Sequence, residues 1–511
     1  MSTRPATSKL ASPLLVLLCI ISQARAHEHA GESSGPYENN FLNDEPIDRA
    51  LKWHIGIQMI VWGIVFPIGM VMGITRNKWH VPVQTFGIVA TLFGFYLGHH
   101  HGGREFHTTA HAHFGSYLFW YLITQASLGI FLKAHVWQES RFRRVVVIIH
   151  GIIGKSFPVV GWIQMIFGGI AALGFCFGEH TIQCVAHFMM GSAFIAYGII
   201  LLIMLRVGAG FLARKGCSQE FLDSCVITLW GIINTFTEHD FLQKSSHWSH
   251  KDMQHVSLGV LWWAGGSLGI FLSRNGKRSV VPGVIIAMTG YAMSAHDQAL
   301  MFSMAVHKVF GYALMAGGVT RVIEICFVLR DAPTPPDDGS TPGPSSFQHL
   351  PPYLLTLSGL TFLSATEEQM SWVNDSGMDH VTYTVVLFSG SFVIYLAAGG
   401  VLTIYEYCAK ERGGSDVERG RRWPSFFPGS GRRLGRIQTD DLSGGYEALP
   451  LTAASDAFSP DVDRRIDRNR DRYAVHSGVK HTDEDGEVVF EAGQDETGPD
   501  IDHNYNWRGG N

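Results

Sequence analysis

The sequence predicts an all-α, polytopic transmembrane protein of about 11 helices, arranged as two membrane regions. Three observations carry that expectation. The 511 residues are 46% hydrophobic and only 16% charged, too apolar for a soluble chain of this length. Eleven windows of about 20 predominantly apolar residues follow one another between residues 53 and 404. Lys and Arg collect in alternate connections, as the positive-inside rule requires.

At the N-terminus, Arg4 and Lys9 precede an apolar run from Leu10 to Ile21 and a small-x-small site, Ala24-Arg25-Ala26. This is the pattern of a signal peptide over residues 1–26, cleaved before His27. Residues 27–52 then form a lumenal segment. The apolar windows predict helices over 53–75, 79–98, 111–132, 145–174, 186–206, 222–239, 254–273, 280–296, 303–329, 351–366 and 380–404. With the N-terminus lumenal, the cytosolic connections carry Arg76 and Lys78, then Lys133, Arg141, Arg143 and Arg144, then Arg206, Arg214 and Lys215. Arg274, Lys277 and Arg278 follow, then Lys410 and Arg412, so the C-terminus is expected in the cytosol of a secretory-pathway membrane. The opposite loops are rich in His and acids. One holds the sequon Asn374-Asp375-Ser376, and Cys176 and Cys184 flank another, where they are free to pair.

Composition divides the chain further. The stretch VGAGFLARKGCSQEF at 207–221 separates a first membrane domain, 53–206, from a second, histidine-rich one, 222–329. A Pro/Gly/Ser/Asp-rich cytosolic linker at 330–349 leads to a final two-helix segment, 350–408. Residues 409–511 turn from basic to acidic, lack the apolar content to fold, and are expected to be a disordered cytosolic tail. Within it, Tyr446-Glu-Ala-Leu449 has the form of a tyrosine-based signal for a sorting adaptor, and the basic start of the tail can meet anionic membrane lipid. Nothing in the charge pattern points to nucleic acid.

The chemistry-bearing pattern lies in the first four windows. His54, His80, His111 and His150 each stand near a helix start, in HIGIQ, HVPVQ, HAHFG and HGIIG, with Gln or Gly four residues later. Successive helices run in opposite directions, so His54 can meet His111 at one membrane face and His80 can meet His150 at the other. An intramembrane histidine is costly without a partner, and four in phase suit two bis-histidine haems b in one four-helix bundle. Gly115 and Gly154 are expected to leave room for a flat macrocycle, with Gln58 and Gln84 in the equivalent places on the first two helices. Arg104 and Lys155 stand where propionates of the outer and inner haem would need cations, and His113 is a second candidate beside His111.

At these residues the sequence resembles a known family. The stretches WHIGIQMIVWGIVFPIGMVMGITR, HVPVQTFGIVATLFG, HAHFGSYLFWYLITQ and HGIIGKSFPVVGWIQ are similar to the core helices of cytochrome b561 proteins of the DOMON-associated type, over about residues 50–205. The resemblance implies transmembrane electron transfer, with cytosolic ascorbate as donor and His54, His80, His111 and His150 as haem ligands. Lys155 replaces an Arg common in relatives, keeping the charge and losing the bidentate fork. The chain as a whole resembles fungal Ytp-type integral membrane proteins.

The second half supplies more histidine. His239, His255, His296 and His307 are expected on the lumenal side, where imidazoles beside Glu238 and Asp297 can form a second site for a metal of unknown identity. Signal cleavage would expose His27-Glu28-His29, a Cu(II)-binding form, beside the HHHGG run at 99–103. The functional expectation is a transmembrane oxidoreductase of the metal-reductase or monodehydroascorbate-reductase type, passing electrons from a cytosolic donor to a lumenal acceptor such as ferric or cupric ion. The competing readings are a metal-ion or proton transporter and a non-enzymatic structural or trafficking protein. Against transport, Asp223 and Glu324 fall near cytosolic helix ends and no facing row of buried carboxylates is legible.

Overall fold

Ten of the eleven predicted helices form within a few residues of their expected bounds, and the last, expected over 380–404, continues to Glu418. In the computed structural model they are α1 (Arg49–Ile74), α2 (His80–His99), α3 (Ala110–Lys133), α4 (Arg141–Leu173) and α5 (Thr181–Val207). A short α6 (Ala209–Lys215) follows, then α7 (Gln219–Thr237), α8 (His250–Leu272), α9 (Val281–Ser294), α10 (Met301–Val328), α11 (Leu350–Leu363), α12 (Glu367–Asp375) and α13 (His380–Glu418). The structure describes residues 45–106, 108–177, 181–237, 250–295, 298, 300–330 and 343–418. The expected signal peptide, His27-Glu28-His29, His239, His296, the Pro-rich part of the linker and the tail after Glu418, with Tyr446, lie outside the described residues, whereas residues 409–418, expected as the start of a disordered tail, continue the last helix.

Among the described residues seven helices, against about 11 expected, are long and apolar enough to cross a membrane, namely α1, α2, α4, α5, α8, α10 and α13, and α9 is apolar but shorter. The protein is therefore a polytopic helical membrane protein. Local chemistry sets several boundaries. The Asp48 carboxylate accepts the Leu51 N–H at 2.8 Å and caps α1, Thr109 caps α3, and Ser140 caps α4. Gly174, at φ 70°, ends α4 in a left-handed conformation that glycine adopts without steric cost.

The loop expected between residues 366 and 380 is instead a helix, α12. Its sequence TEEQMSWV reads as a helix start once burial is known. Thr366 caps it, Glu367 and Glu368 occupy the first turn, and Met370 and Val373 are buried against Phe302, Tyr383 and Leu387.

Packing divides the helices differently from the sequence. In the first group α1 pairs with α2 and α3 with α4, and α4 closes against α1. In the second, α7 pairs with α8, α9 with α10, and α10 with α11. The sequence expectation placed the fifth helix in the first domain, yet α5 lies along α11. The reason is steric: Gly191 and Gly198 of α5 bring its backbone against Gly359 and Pro352 of α11. The last helix, α13, contacts α1 as well as α5 and α11, and an Arg206–Glu406 ion pair of 2.5 Å ties it to the end of α5.

Candidate functional site

The four phased histidines meet in the expected pairs. The His54 and His111 rings lie with centroids 6.1 Å apart, and those of His80 and His150 are 6.4 Å apart. The two rings of each pair are close to perpendicular, at 89° and 87°. Three of the four are held in one tautomer by the backbone. His54 Nδ1 contacts the Gly94 carbonyl at 2.7 Å, His80 Nδ1 the Gly69 carbonyl at 2.7 Å, and His111 Nδ1 the Gln164 carbonyl at 3.3 Å. A carbonyl only accepts, so Nδ1 carries the proton and Nε2 keeps its lone pair. His150 is the exception: its buried Nδ1 has no hydrogen-bond partner. The exposed His113 is not part of either pair.

A longer repeat than the sequence suggested surrounds these rings. Each histidine lies against a glycine of the neighbouring helix: a Cβ on Gly98 would meet His54 Nδ1 at 2.5 Å, one on Gly73 would meet His80 at 2.8 Å, one on Gly168 would meet His111 at 3.1 Å, and one on Gly129 would meet His150 at 3.3 Å. One helical turn inward, each pair of helices repeats the fit with glutamine. Gln58 lies against Gly94, Gln84 against Gly69, Gln125 against Gly154 and Gln164 against Gly115. The amides of Gln125 and Gln164 donate to the His150 and His111 carbonyls, both at 3.0 Å. Gly115 and Gly154, expected to make room for a macrocycle, therefore receive glutamine from the facing helix, because α3 and α4 pack as closely there as α1 and α2 do. The signal that could have found Gln125, Gln164 and the outer glycines is a second His/Gly-type spacing, Gly69–Gly73, Gly94–Gly98, Gln125–Gly129 and Gln164–Gly168, near the far end of each helix.

That spacing is hidden by one residue. The inner member follows its histidine by 14 residues in α2, α3 and α4 (94−80, 125−111, 164−150) and by 15 in α1 (69−54). Within α1, Val61–Val65 forms a π-helical turn, which absorbs one extra residue and restores Gly69 and Gly73 to the common face.

Between the two histidine pairs sits an aromatic layer. Trp62, Phe66, Phe157 and Tyr121 stack edge to face or tilted, with centroids 4.9 to 5.8 Å apart. Phe66 and Trp62 reach into the space left by Gly87 and Gly161. At the His54/His111 end, Arg104 donates to the Glu45 and Ala172 carbonyls, at 3.0 and 3.2 Å, so its charge lies at the expected end. Lys155 is exposed on α4, five residues after His150.

The second expected site is described only in part. Of its members His239 and His296 lie outside the described residues, and the His255 carbonyl accepts from Asn234 at 2.9 Å. Among the described residues neither His255 nor His307 joins a group of three or more metal-ligating side chains. His307 instead faces His187 of α5, a residue the sequence reading passed over, with centroids 5.9 Å apart. The single such group among the described residues, Cys176, Cys184 and Glu368, has its two cysteines joined in a disulfide, and Glu368 accepts the Cys176 N–H at 2.7 Å.

The carboxylates also differ from expectation. Glu220, Asp223 and Glu324 are buried together where α7 begins and the main α-helical part of α10 ends, so a buried acidic cluster exists after all. Arg321 bridges Glu220 at 2.7 Å and Glu324 at 2.6 Å, and Arg278 reaches Glu220 at 3.1 Å. Residues 58 and 101 positions apart supply these pairs, which no local spacing reveals.

Comparison with known proteins divides the chain before and within α4, earlier than the packing does. Residues 160–406 match the family described as Protein YTP1-like, C-terminal. Residues 36–135, which hold α1 to α3, match the family described as Domain of unknown function (DUF2427). The Ytp1-like region thus spans the second half of α4, all of α5 to α12 and most of α13. A relative named Protein YTP1 from Saccharomyces cerevisiae is 45% identical over 256 residues, 50% of this chain and 54% of its own length. An uncharacterized membrane protein of Schizosaccharomyces pombe, C3B8.06, is 20% identical over 429 residues, covering 59% of this chain and 84% of itself. The chain thus spans about half the length of the first of these relatives. No solved structure matches.

Proposed function

We propose that α1 to α4 bind two b-type haems and carry electrons across the membrane, from a cytosolic reductant such as ascorbate to a lumenal or extracellular acceptor such as ferric or cupric ion. The observation that carries this reading is the pair of ring separations, 6.1 and 6.4 Å. A metal–nitrogen bond of about 2 Å on each side, plus the radius of two imidazoles, puts the centroids of a bis-imidazole complex about 6 Å apart. Iron held by two neutral imidazoles has no open coordination position, so it exchanges single electrons and does not bind oxygen.

The residues of the chain supply the rest. Backbone carbonyls fix the Nδ1–H of His54, His80 and His111 and turn Nε2 to the ligand role, the arrangement that raises ligand basicity in metal sites. Gly73, Gly98, Gly129 and Gly168 leave the space in which those rings lie. The aromatic layer around Phe157 excludes water between the two pairs, so each pair has its own surface. Arg104 at the His54/His111 end and Lys155 beside His150 put one cation near each pair for an acidic edge group. The disulfide Cys176–Cys184 lies just past the end of α4 that carries Gly168, the His111 side, and disulfides persist in oxidising compartments. This supports placing the His54/His111 pair on the lumenal side.

The test is the reduced-minus-oxidised spectrum and haem content of the full chain purified in detergent after expression with haem supplied. Low-spin b-haem bands at two haems per chain are expected, and their absence would refute the reading. The transporter reading draws on the buried Glu220, Asp223 and Glu324, but Arg321 and Arg278 already pair two of those three.

A further inference from the structure

We propose that the buried acidic cluster of the second helical group binds one exchangeable proton, carried by Asp223 and shared with Glu220. The site stands apart from the haem reading and does not depend on it.

Glu220 and Asp223 stand three residues apart near the start of α7, on one face of that helix, and Glu324 joins them from α10. Glu220 is fully buried, and Asp223 and Glu324 are 7% and 2% exposed. Among the described residues two guanidiniums answer these three carboxyl groups. Arg321 gives one nitrogen to Glu324 at 2.6 Å and another to Glu220 at 2.7 Å, and Arg278 reaches the same Glu220 oxygen, Oε1, at 3.1 Å. Glu324 accepts a further hydrogen bond from the Gln348 amide at 3.1 Å. Glu220 and Glu324 are thus held in the ionised form. Asp223 takes part in none of these ion pairs, and its neighbours are the Tyr197 hydroxyl of α5 and the Gln219 amide.

Two deficits meet on this face of α7. Asp223 is a buried carboxyl outside the ion pairs, which is costly to keep charged, and the like charge of Glu220 adds to that cost. Glu220 Oε2 is a buried acceptor that no donor reaches. A proton on Asp223 answers both, because it neutralises the third carboxyl and makes it a donor to the oxygen that lacks one. One carboxylate and one proton become one carboxyl, and the excess of one negative charge over the two guanidiniums is removed.

The surroundings favour a proton over a metal cation. Among the described residues the three carboxyl groups do not converge as a metal-ligating group, and two guanidiniums already stand among them. The adjoining cavity, lined by Gln219, Arg321, Glu324 and Gln348, measures about 10 Å³, room for one water. Gln219 lines that cavity and also contacts Asp223, so water comes within one side chain of the site. From α8, Gly266 and Gly269 lie against Ser224 and carry no charge. The other titratable groups facing the start of α7 from the described residues are the Tyr197 hydroxyl and the thiols of Cys217 and Cys225.

The test is infrared spectroscopy of the full chain in detergent at about pH 7, where exposed carboxyl groups are ionised. The carbonyl stretch of one protonated carboxyl per chain is expected, shifting in D2O and shifting again when the protein is grown on aspartate labelled with a heavy carbon isotope in its side-chain carboxyl. Asp223→Asn, a neutral isostere of the protonated side chain, should remove the band and melt as the parent protein does. Absence of the band from the parent, its persistence in the Asn variant, or a band unmoved by D2O or by labelled aspartate would each overturn the proposal. Should the Asn variant not fold, the labelled parent decides alone, because Asp223 is the one buried Asp among the described residues.

Discussion

The two helical groups use the same small residues to opposite ends. In α1 to α4 the glycines face side chains: Gly98 faces His54, Gly73 faces His80, and Gly115 and Gly154 face glutamines. In the second group several of them face backbone. Gly290 and Gly311 approach each other's carbonyls, Gly283 and Gly318 do the same, and Gly191 meets Gly359. The first use opens a slot for a functional ring, whereas the second removes all space and lets helices pack by close van der Waals contact, as lipid-embedded helices do. A glycine four residues from a histidine therefore means little until its neighbour is known.

This contrast can be broken by experiment, and the largest effect is expected in the second group. Arg321→Ala would leave Glu220 and Glu324 buried without their shared cation, and breaking such a pair costs about 3–5 kcal/mol. Loss of folded protein in detergent melts, with the His54/His111 group no more stable than the rest, is the expected outcome; an unchanged melt would show that the cluster is solvated. Next, Gly311→Leu should separate α9 from α10 and destabilise by about 1–3 kcal/mol through overpacking. Gly98→Ala should leave the melt nearly unchanged and lower haem content, because its methyl meets only the movable His54 ring. Equal destabilisation by the two substitutions would erase the distinction.

Third, His54→Ala and His111→Ala should each remove the same half of the b-haem signal, and the double variant no more than either. His80→Ala and His150→Ala should remove the other half. Loss of a common haem on changing His54 and His80 would overturn the pairing seen in the ring separations.

The smallest effect concerns the edge of the first group. Hydrogen bonds from the Leu51 and Gly102 N–H groups hold the Asp48 carboxyl below its ordinary value of 3.8. A depressed carboxyl contributes stability that is present above the unfolded value and lost as pH falls through the folded one. The melting temperature should thus decline as pH drops below about 4, and Asp48→Asn should flatten that part of the profile. A profile unaffected by the substitution would show that the cap does not couple α1 to the 102–103 turn.

Much of this was legible in the chain. Apolar windows gave the helix bounds, and helix direction alone paired His54 with His111 and His80 with His150. Four features were not. The loop at 366–380 hides an amphipathic helix whose few apolar residues, Met370 and Val373, matter only because Phe302 and Tyr383 lie over them. His187 carries no local mark that separates it from other interfacial histidines, and its partner is 120 residues away (307−187). The glutamines on α3 and α4 escaped because they occupy the glycine places of α1 and α2. The buried ion cluster joins Glu220 to Arg278 and Arg321 across helix pairs that periodicity cannot order.

By itself the sequence determined which segments are the long apolar helices and at which ends the phased histidines lie, because hydropathy, helix rise and alternating direction are local or additive properties. The tertiary structure alone decided what each glycine and histidine touches. It placed α5 with α11, set a π turn in α1 to bring Gly69 and Gly73 onto the working face, and turned one His-x3-Gly spacing into a slot for glutamine and another into a backbone contact. The physical reason is that a glycine offers only absence of volume, and what fills that absence is chosen by the neighbouring helix.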